Sequence, residues 1–435
     1  MYSNLQSAPM TTAVAPLRGR MARGGVLVLG GGFAGAYVAR RLGRHGATIV
    51  NPTNFMLYTP LLPEAAAGNI EPRHVVVPLR TMCPDADLVL GCAVALDRDR
   101  RVVEVQSEAG CLAIAYEQLV IALGSVTRTP PVPGLRDHAL GLKDLGDAIR
   151  LRNHVLRQIE LADAAPHTAA RRLTFVVAGA GFSGVEAIAE VSEMAEDALR
   201  HHPRLAHVRP RWVLVDGARR ILGQTPDGLA RFAERTLGRR GVEIVTQTRL
   251  TAVDGEGVAL SDGRRIETST VVWTAGVAAN PIVSALGLPV DEHGRVEVDE
   301  SLRVVGAPHI WSLGDCAAVP NQATPGVTDP PTCQHALRQA RRLSRNLRGT
   351  PRPYRYRSLG HMATLGRRHG IAVVAGVRVR GILGWIVARG YHVLQLPFTS
   401  RRARVVADWA TAALFRRDLA ELSLPGASAG PVSGS

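Results

Sequence analysis

Lysine is almost missing from this chain. Lys143 is the only one, so the 52 basic residues set against 37 acidic ones are nearly all arginine. The five cysteines (Cys83, Cys92, Cys111, Cys316 and Cys333) are odd in number and include no C-x-x-C pair. That argues against a disulfide framework and a zinc site, and it fits a reducing compartment. The 14 histidines show no H-E-x-x-H or similar spacing, so no hydrolytic metal centre is expected. The first 23 residues lack the apolar core of a signal peptide and read as a mobile tail. One uncharged run, Thr268 to Val290, covers 23 residues, yet Gly276, Asn280, Pro281 and Gly287 break it into a strand, a turn and a short helix. Elsewhere charges interrupt every apolar run before the ~18 residues a spanning helix needs. The glycines cluster without a fixed period, so no repeat architecture announces itself.

What is present is the composition of a folded protein, 46% hydrophobic and 20% charged, over 435 residues. That length predicts two or three domains, because single cores stop growing well below it. The net charge of +15 is unevenly placed. Residues 351–435 hold 13 arginines against Asp408, Asp418 and Glu421, a net of +10, so the basic excess is regional. Such an end can meet anionic lipid or nucleic acid, or simply be a solvated face.

Two stretches share one grammar. The apolar strand Val26 to Leu29 runs into Gly30, Gly31, Gly32, Phe33, Ala34 and Gly35, then into a helix and a second strand ending at Val50. Residues 171–216 repeat it with Leu173 to Ala178, the glycines Gly179, Gly181 and Gly184, a helix, and the strand Trp212 to Val215. In each G-x-G-x-x-G the first glycine permits the tight turn, the second lets backbone approach a pyrophosphate, and the third lets helix and strand pack closely. A lone motif is weak evidence; the same context found twice predicts two dinucleotide sites. An acidic residue should close the second strand and bind a ribose hydroxyl. Asp216 does so in the second unit, which favours NAD because a carboxylate repels a 2′-phosphate, although Arg219 and Arg220 could neutralise one. In the first unit the position holds Asn51, whose amide oxygen can accept a bond but carries no charge.

Further signals are the Asn54 to Pro63 loop (NFMLYTPLLP), the turns Ala122-Leu123-Gly124-Ser125 and Thr274-Ala275-Gly276, the run Leu313 to Ala317, and Cys333-Gln334-His335-Ala336. Together with the glycine motifs these resemble the two-dinucleotide-binding flavoproteins, and more narrowly the type II NADH:quinone oxidoreductases, over about residues 24 to 420. The resemblance implies FAD at Gly30, Gly32, Gly35, Asn51 and Gly124, with Asp315 holding its ribityl or phosphate region. It implies NAD(H) at Gly179, Gly181, Gly184, Asp216 and Gly276, Glu186 facing nicotinamide and flavin, and Pro60 and Gln334 beside the isoalloxazine and quinone. The sequence departs from the family at Cys333, where an alanine is usual, and at Arg338, the first of two usual glutamines, while Gln339 is kept. Glu186 and Glu190, spaced i, i+4, share a helix face. Residues 24–82 contain no cysteine, against a disulfide-reductase mechanism, and Cys316 and Cys333 read as small apolar fillers.

The expectation is therefore an α/β protein with two Rossmann-like domains and a C-terminal amphipathic membrane-docking segment. The boundaries read 1–23 tail, 24–127 and 296–349 FAD domain, 128–295 NAD domain, 350–420 basic amphipathic segment and 421–435 tail. The expected function is hydride transfer from NADH to FAD and two-electron reduction of a membrane quinone. The partners are quinone, an anionic membrane surface and a second copy of the chain, with no nucleic acid, at the cytoplasmic face of the cell membrane. Two alternatives stand beside it: a soluble NAD(P)H:acceptor reductase serving a ferredoxin, and a redox-sensing flavoprotein that binds nucleic acid or a partner through its basic end. In the C-terminal helix, Val405, Val406, Trp409, Ala410, Ala412 and Ala413 share one side, and Arg402, Arg416 and Arg417 project toward headgroups.

Overall fold

A computed structural model describes residues 18–358, 360–415 and 417–422. They form two compact units, the first built from residues up to 56, 78–125 and 279–356, the second from 57–77, 126–278 and 357 onward.

The first unit holds a five-stranded sheet in the order Ile310–Ser312, Gln118–Ile121, Val26–Leu29, Ala47–Asn51, Ala86–Leu90. Every pairing is parallel. Val26–Leu29 is buried along its whole length, as a strand covered on both faces must be, and its run of branched aliphatics supplies that burial. The helices Gly35–Leu42 and Cys333–Asn346 pack against each other. An antiparallel meander, Cys92–Asp97, Val102–Ser107 and Gly110–Ala115, gains a fourth strand from Arg18–Met21, parallel to Gly110–Ala115. That strand corrects the expectation of a mobile tail through residue 23: polar Arg18-Gly19-Arg20-Met21 has no hydrophobic pattern of its own and is ordered by edge pairing. Residues 1–17 of that expected tail lie outside the described residues.

The second unit repeats the design, with the parallel order Ala139–Leu140, Thr270–Trp273, Thr174–Ala178, Arg211–Val215, Val242–Val245. Phe175 stacks on Trp212 with ring centroids 4.3 Å apart. The long helix Leu145–Ala164 is fixed at its start by a capping box in which Asp144 and Asp147 satisfy each other's backbone N–H. The uncharged run holds the expected strand Thr270–Trp273 and turn at Gly276, then a second short strand, Val277–Ala279, before the short helix Ile282–Ala285, which belongs to the first unit. Among the described residues no helix is long and apolar enough to cross a membrane.

From residue 362 the second unit adds an antiparallel sheet, Met362–Thr364, Gly370–Val374 and Val377–Arg380, and two helices, Gly381–Gln395 and Thr399–Leu414. A Cβ at Gly384 would meet the Gly370 carbonyl oxygen at 2.5 Å, so the first of these helices lies directly on the sheet. The last helix differs from the expected amphipath. Val405 is buried and Trp409 half-buried against the protein, while Val406, Ala410 and Leu414 are exposed, so the apolar side is divided between the core and the outside. Arg417 does not project toward headgroups; it is buried, 3.7 Å from Glu193 and 3.6 Å from Asp197. The helix ends at Leu414, and a buried arginine keeps its charge only beside carboxylates. Arg416 lies outside the described residues.

Candidate functional site

At the first glycine motif the backbone turns at Gly30, whose φ is +104° and whose missing Cβ leaves room for the Ala122 carbonyl. A Cβ at Gly35 would collide with the Gly30 carbonyl, so this glycine seats the helix against the strand. Gly32 is different: a Cβ there meets no heavy atom within 4 Å, and its surroundings are open at the helix N-terminus. Asn51 closes the next strand. Its Oδ1 accepts the Gly31 N–H at 2.8 Å, and its Nδ2 donates to the Thr53 carbonyl at 2.8 Å and to Thr53 Oγ1 at 3.0 Å.

Two neighbouring strands of the same sheet end beside this loop. Gln118–Ile121 leads to Gly124, with φ +68° and open space at its missing Cβ, and Ile310–Ser312 leads to Gly314, Asp315 and Cys316. Ser125 Oγ donates to Asp315 Oδ2 at 2.7 Å. The glycine loop, Gly124 and Asp315 thus share the carboxyl edge of a parallel sheet, where α/β folds hold their ligands.

Gln334 and Gln339 sit on the helix Cys333–Asn346, whose start is capped by the Thr332 hydroxyl. Gln339 Oε1 accepts the Gly314 N–H at 2.8 Å while its Nε2 donates to Asp329 at 2.9 Å. Asp329 also accepts from Asn321 at 2.8 Å and lies 2.6 Å from His335 Nδ1. Burial alone would raise this carboxyl, but the bonds from His335, Asn321 and Gln339 hold it below the usual carboxylate range. Gln334, half-buried, accepts from the Tyr356 hydroxyl at 3.4 Å. The arginine at 338 places its guanidinium 5.3 Å from the Tyr356 ring centroid.

The second motif has the same parts. Gly179, at φ +106°, leaves room for the Thr274 and Ala275 backbone, Gly184 packs on the Gly179 carbonyl, and Gly181 faces open space. Asp216 Oδ2 accepts the Ala180 N–H at 2.5 Å and Oδ1 the Ala218 N–H at 2.7 Å. Gly276, at φ +99°, also has open space at its missing Cβ. Of the two arginines that could meet a phosphate, Arg220 is tied to Asp227 and the Gly223 carbonyl, whereas Arg219 is exposed.

Glu186 lies one turn inside the following helix, Phe182–Leu199, and its Oε1 accepts the Thr364 N–H at 3.0 Å. Burial pushes its carboxyl up to about 8; the Thr364 bond opposes this, and Glu64 and Glu190 add to it. The helix Leu62–Ala66 follows the turn that carries Pro60 and brings in Glu64, 3% exposed, which bonds Arg389 at 2.8 Å and Trp409 Nε1 at 2.6 Å. Burial raises Glu64 against the pull of Arg389 and Trp409. Arg389 lies 4.4 Å from the centre of the Trp385 ring and 4.6 Å from that of Trp409. Sequence reading missed Glu64, Arg389 and Asn69. Glu64 directly follows the recognised loop, which was a usable signal, but its partners stand 325 and 345 residues on. Pro60 belongs to the second unit and Gln334 to the first.

The family described as pyridine nucleotide-disulphide oxidoreductase matches residues 24–340, spanning both glycine motifs. A type II NADH:quinone oxidoreductase of Mycobacterium tuberculosis is 30% identical over 410 residues, covering 88% of this chain and 86% of that one. The chain belongs to the pyridine nucleotide-disulphide oxidoreductases, in the type II NADH:quinone oxidoreductase branch. A demethylphylloquinone reductase of Synechocystis is 29% identical, covering 90% of this chain and 96% of its own length. In fold the chain matches the NADH complex of NDH2 from Plasmodium falciparum with a TM-score of 0.83 at 17% identity, over 91% of this chain and 99% of that one. The disulphide half of the family name has no counterpart in these thiols. Burial pushes Cys83 and Cys333 up to about 11 and raises Cys316, so at these three the reactive thiolate is disfavoured.

Proposed function

We propose that this chain oxidises NADH through FAD and reduces a quinone, without pumping protons. The observation that carries the reading is the duplicated cradle, in which Gly32 and Gly181 alone among the six motif glycines face open space at a helix N-terminus. Backbone N–H groups and the helix dipole there suit a pyrophosphate, so the residues present fit one dinucleotide each.

FAD would be held in the first unit by Gly30, Gly32, Gly35 and Gly124, with Asp315, fixed by Ser125, accepting from hydroxyl groups. When bound, it supplies the two-electron acceptor for hydride. NAD(H) would be held by Gly179, Gly181, Gly184 and Gly276. Asp216, already bonded to the loop, would receive a ribose hydroxyl and repel a 2′-phosphate. The protein's own work is orientation and exclusion of water, since hydride transfer itself requires no acid or base. We place Glu186 beside the nicotinamide and Gln334 and Pro60 on the quinone side. The buried bonds of Gln339 and Asp329 hold the Gln334 helix and the Asp315 turn as one piece.

The reading extends to peripheral attachment at the cytoplasmic face of the cell membrane, as a homodimer. What supports attachment is the exposure of Ile382, Leu383, Ile386 and Leu394 on one helix and of Val406 and Leu414 on the next, in the arginine-rich end of the chain. Large exposed apolar side chains grouped this way mark an interaction surface, and basic residues near anionic lipid add on the order of 1 kcal/mol each. The test is steady-state oxidation of NADH and NADPH against soluble and long-tailed quinones, with cosedimentation on anionic vesicles. Turnover with quinone and no protein acceptor supports the reading, and a strict need for a ferredoxin contradicts it.

A further inference from the structure

Resting on that reading, the proton balance asks something more of the protein. NADH delivers two electrons and one proton as hydride, and the quinol carries two electrons and two protons, so each turnover takes one proton from solvent. The helix Phe182–Leu199 carries Glu186, Glu190, Glu193 and Asp197, spaced i, i+4, i+7 and i+11. Residues so spaced lie on one face, here over about 16 Å of helix at ~1.5 Å per residue.

The two ends of this face differ. At the outer end Glu193 is 3.1 Å from Arg240 and 3.7 Å from Arg417, and Asp197 is 3.6 Å from Arg417, with both acid side chains partly open to solvent. At the inner end Glu190 is 1% exposed. Its Oε2 accepts from Asn69 Nδ2 at 2.7 Å, and its Oε1 is buried with no hydrogen-bond partner among the described residues. An ionised carboxylate with an oxygen buried and unpaired is strongly disfavoured, so the side chain is a neutral acid with a proton to pass on. Burial raises both Glu190 and Glu186 to about 8. The charged groups facing Glu190 are Glu64 from the helix after Pro60, Glu193 on its own helix, and Arg389 and Arg417 from the C-terminal part; the acids raise it and the arginines lower it. Glu186, one turn away, meets Glu64 and Glu190 in the same way.

We propose that Glu190 is a relay carboxyl, passing a solvent proton from the Glu193 end of this helix face to Glu186, which on the reading above faces nicotinamide and flavin and would hand on there the second proton that reoxidation of the flavin by quinone consumes. Glu190 acts through Glu186 and touches neither cofactor nor quinone, which makes it a positioning and relay residue. No bond other than O–H changes along the face: Glu190 gives its proton inward and takes another from the outer end.

The test is Glu190→Gln in the full-length holoenzyme, since glutamine keeps the shape, can still meet Asn69, and cannot relay an acid proton. NADH oxidation is measured with a quinone and with ferricyanide, an electron acceptor that takes no proton. The expected result is an unchanged flavin spectrum and ferricyanide rate, quinone reduction slowed at least tenfold with a larger solvent deuterium effect, and a weakened inflection near pH 8 in the quinone rate profile, where Glu186 remains. Glu190→Asp should recover part of the rate. The infrared spectrum should also lose a protonated-carboxyl carbonyl band in Glu190→Gln, a readout independent of turnover. Quinone reduction at the wild-type rate and pH profile overturns the proposal, as does equal slowing with both acceptors, which marks a structural role. Wild-type protein that oxidises NADH with ferricyanide but reduces no quinone overturns the underlying reading instead, and the relay with it.

Discussion

In the first cradle the closing residue is Asn51 and in the second Asp216, yet both side chains accept the N–H of the residue between the first two motif glycines, Gly31 at 2.8 Å and Ala180 at 2.5 Å. An amide and a carboxylate therefore do the same local work, holding the loop to the strand. They differ in what remains. The amide of Asn51 spends its N–H groups on Thr53, whereas Asp216 keeps a negative charge and spare lone pairs beside an open Gly181. Loop geometry is thus common to the two sites and the choice of dinucleotide is not. On the proposed reading the first site would rely on Asp315 and the glycines, while the second would discriminate by charge.

The largest expected effect breaks both cradles equally. Gly30→Val and Gly179→Val place a branched residue at φ near +105° against backbone, and should cost upwards of ~3 kcal/mol each, read as loss of soluble folded protein or a fall in Tm. Moving one glycine along should separate the sites. A Cβ at Gly32 or Gly181 meets no atom within 4 Å, so Gly32→Val and Gly181→Val should leave Tm nearly unchanged. The first should yield colourless protein. The second should keep its flavin spectrum and raise the KM for NADH by tenfold or more, about 1.4 kcal/mol.

A smaller change isolates charge. Asp216→Asn keeps an acceptor for the Ala180 N–H and should improve NADPH use relative to NADH about tenfold, or ~1.4 kcal/mol, with Arg219 rather than the occupied Arg220 available to the phosphate. The converse, Asn51→Asp, should shift stability by no more than ~0.5 kcal/mol and leave flavin content intact. Paired kcat/KM measurements with the two nucleotides check the first and thermal melts the second.

Only the second unit joins its cradle helix to raised glutamates, and this gives a pH signature. Glu186 and Glu190 hold protons in the folded state up to about 8, against an ordinary value of 4.5. Their contribution to stability is full below about pH 4.5, declines as pH rises and is lost through about 8. Denaturant melts across that window should show a falling component, and Glu190→Gln should flatten it.

The cradles were legible because their physics is local: the turn, the close packing and the open approach each depend on a single missing side chain within six residues. Asp315 and Gln334 came from the family resemblance of the runs Leu313 to Ala317 and Cys333 to Ala336. Glu64 with Arg389 and Trp409, and Glu190 with Asn69, were not legible, because a buried acid is recognised by partners that meet it out of water, and here those stand 325, 345 and 121 residues away in sequence. Arg417 was misread for the same reason. Helical spacing placed it at the helix end near the apolar face, reaching toward headgroups, whereas burial beside Glu193 and Asp197 holds it inside. Arg18–Met21 escaped because edge pairing needs no hydrophobic pattern in the added strand.

The central claim, electron flow from NADH at the second cradle through flavin at the first to quinone, is tested most directly by anaerobic stopped-flow absorbance of the purified holoenzyme. NADH should bleach the flavin, and a soluble quinone added next should restore the yellow spectrum with no protein acceptor present, while Gly181→Val should bleach at least tenfold more slowly. A flavin that NADH bleaches and quinone leaves bleached, recovering only with a ferredoxin, would contradict the account.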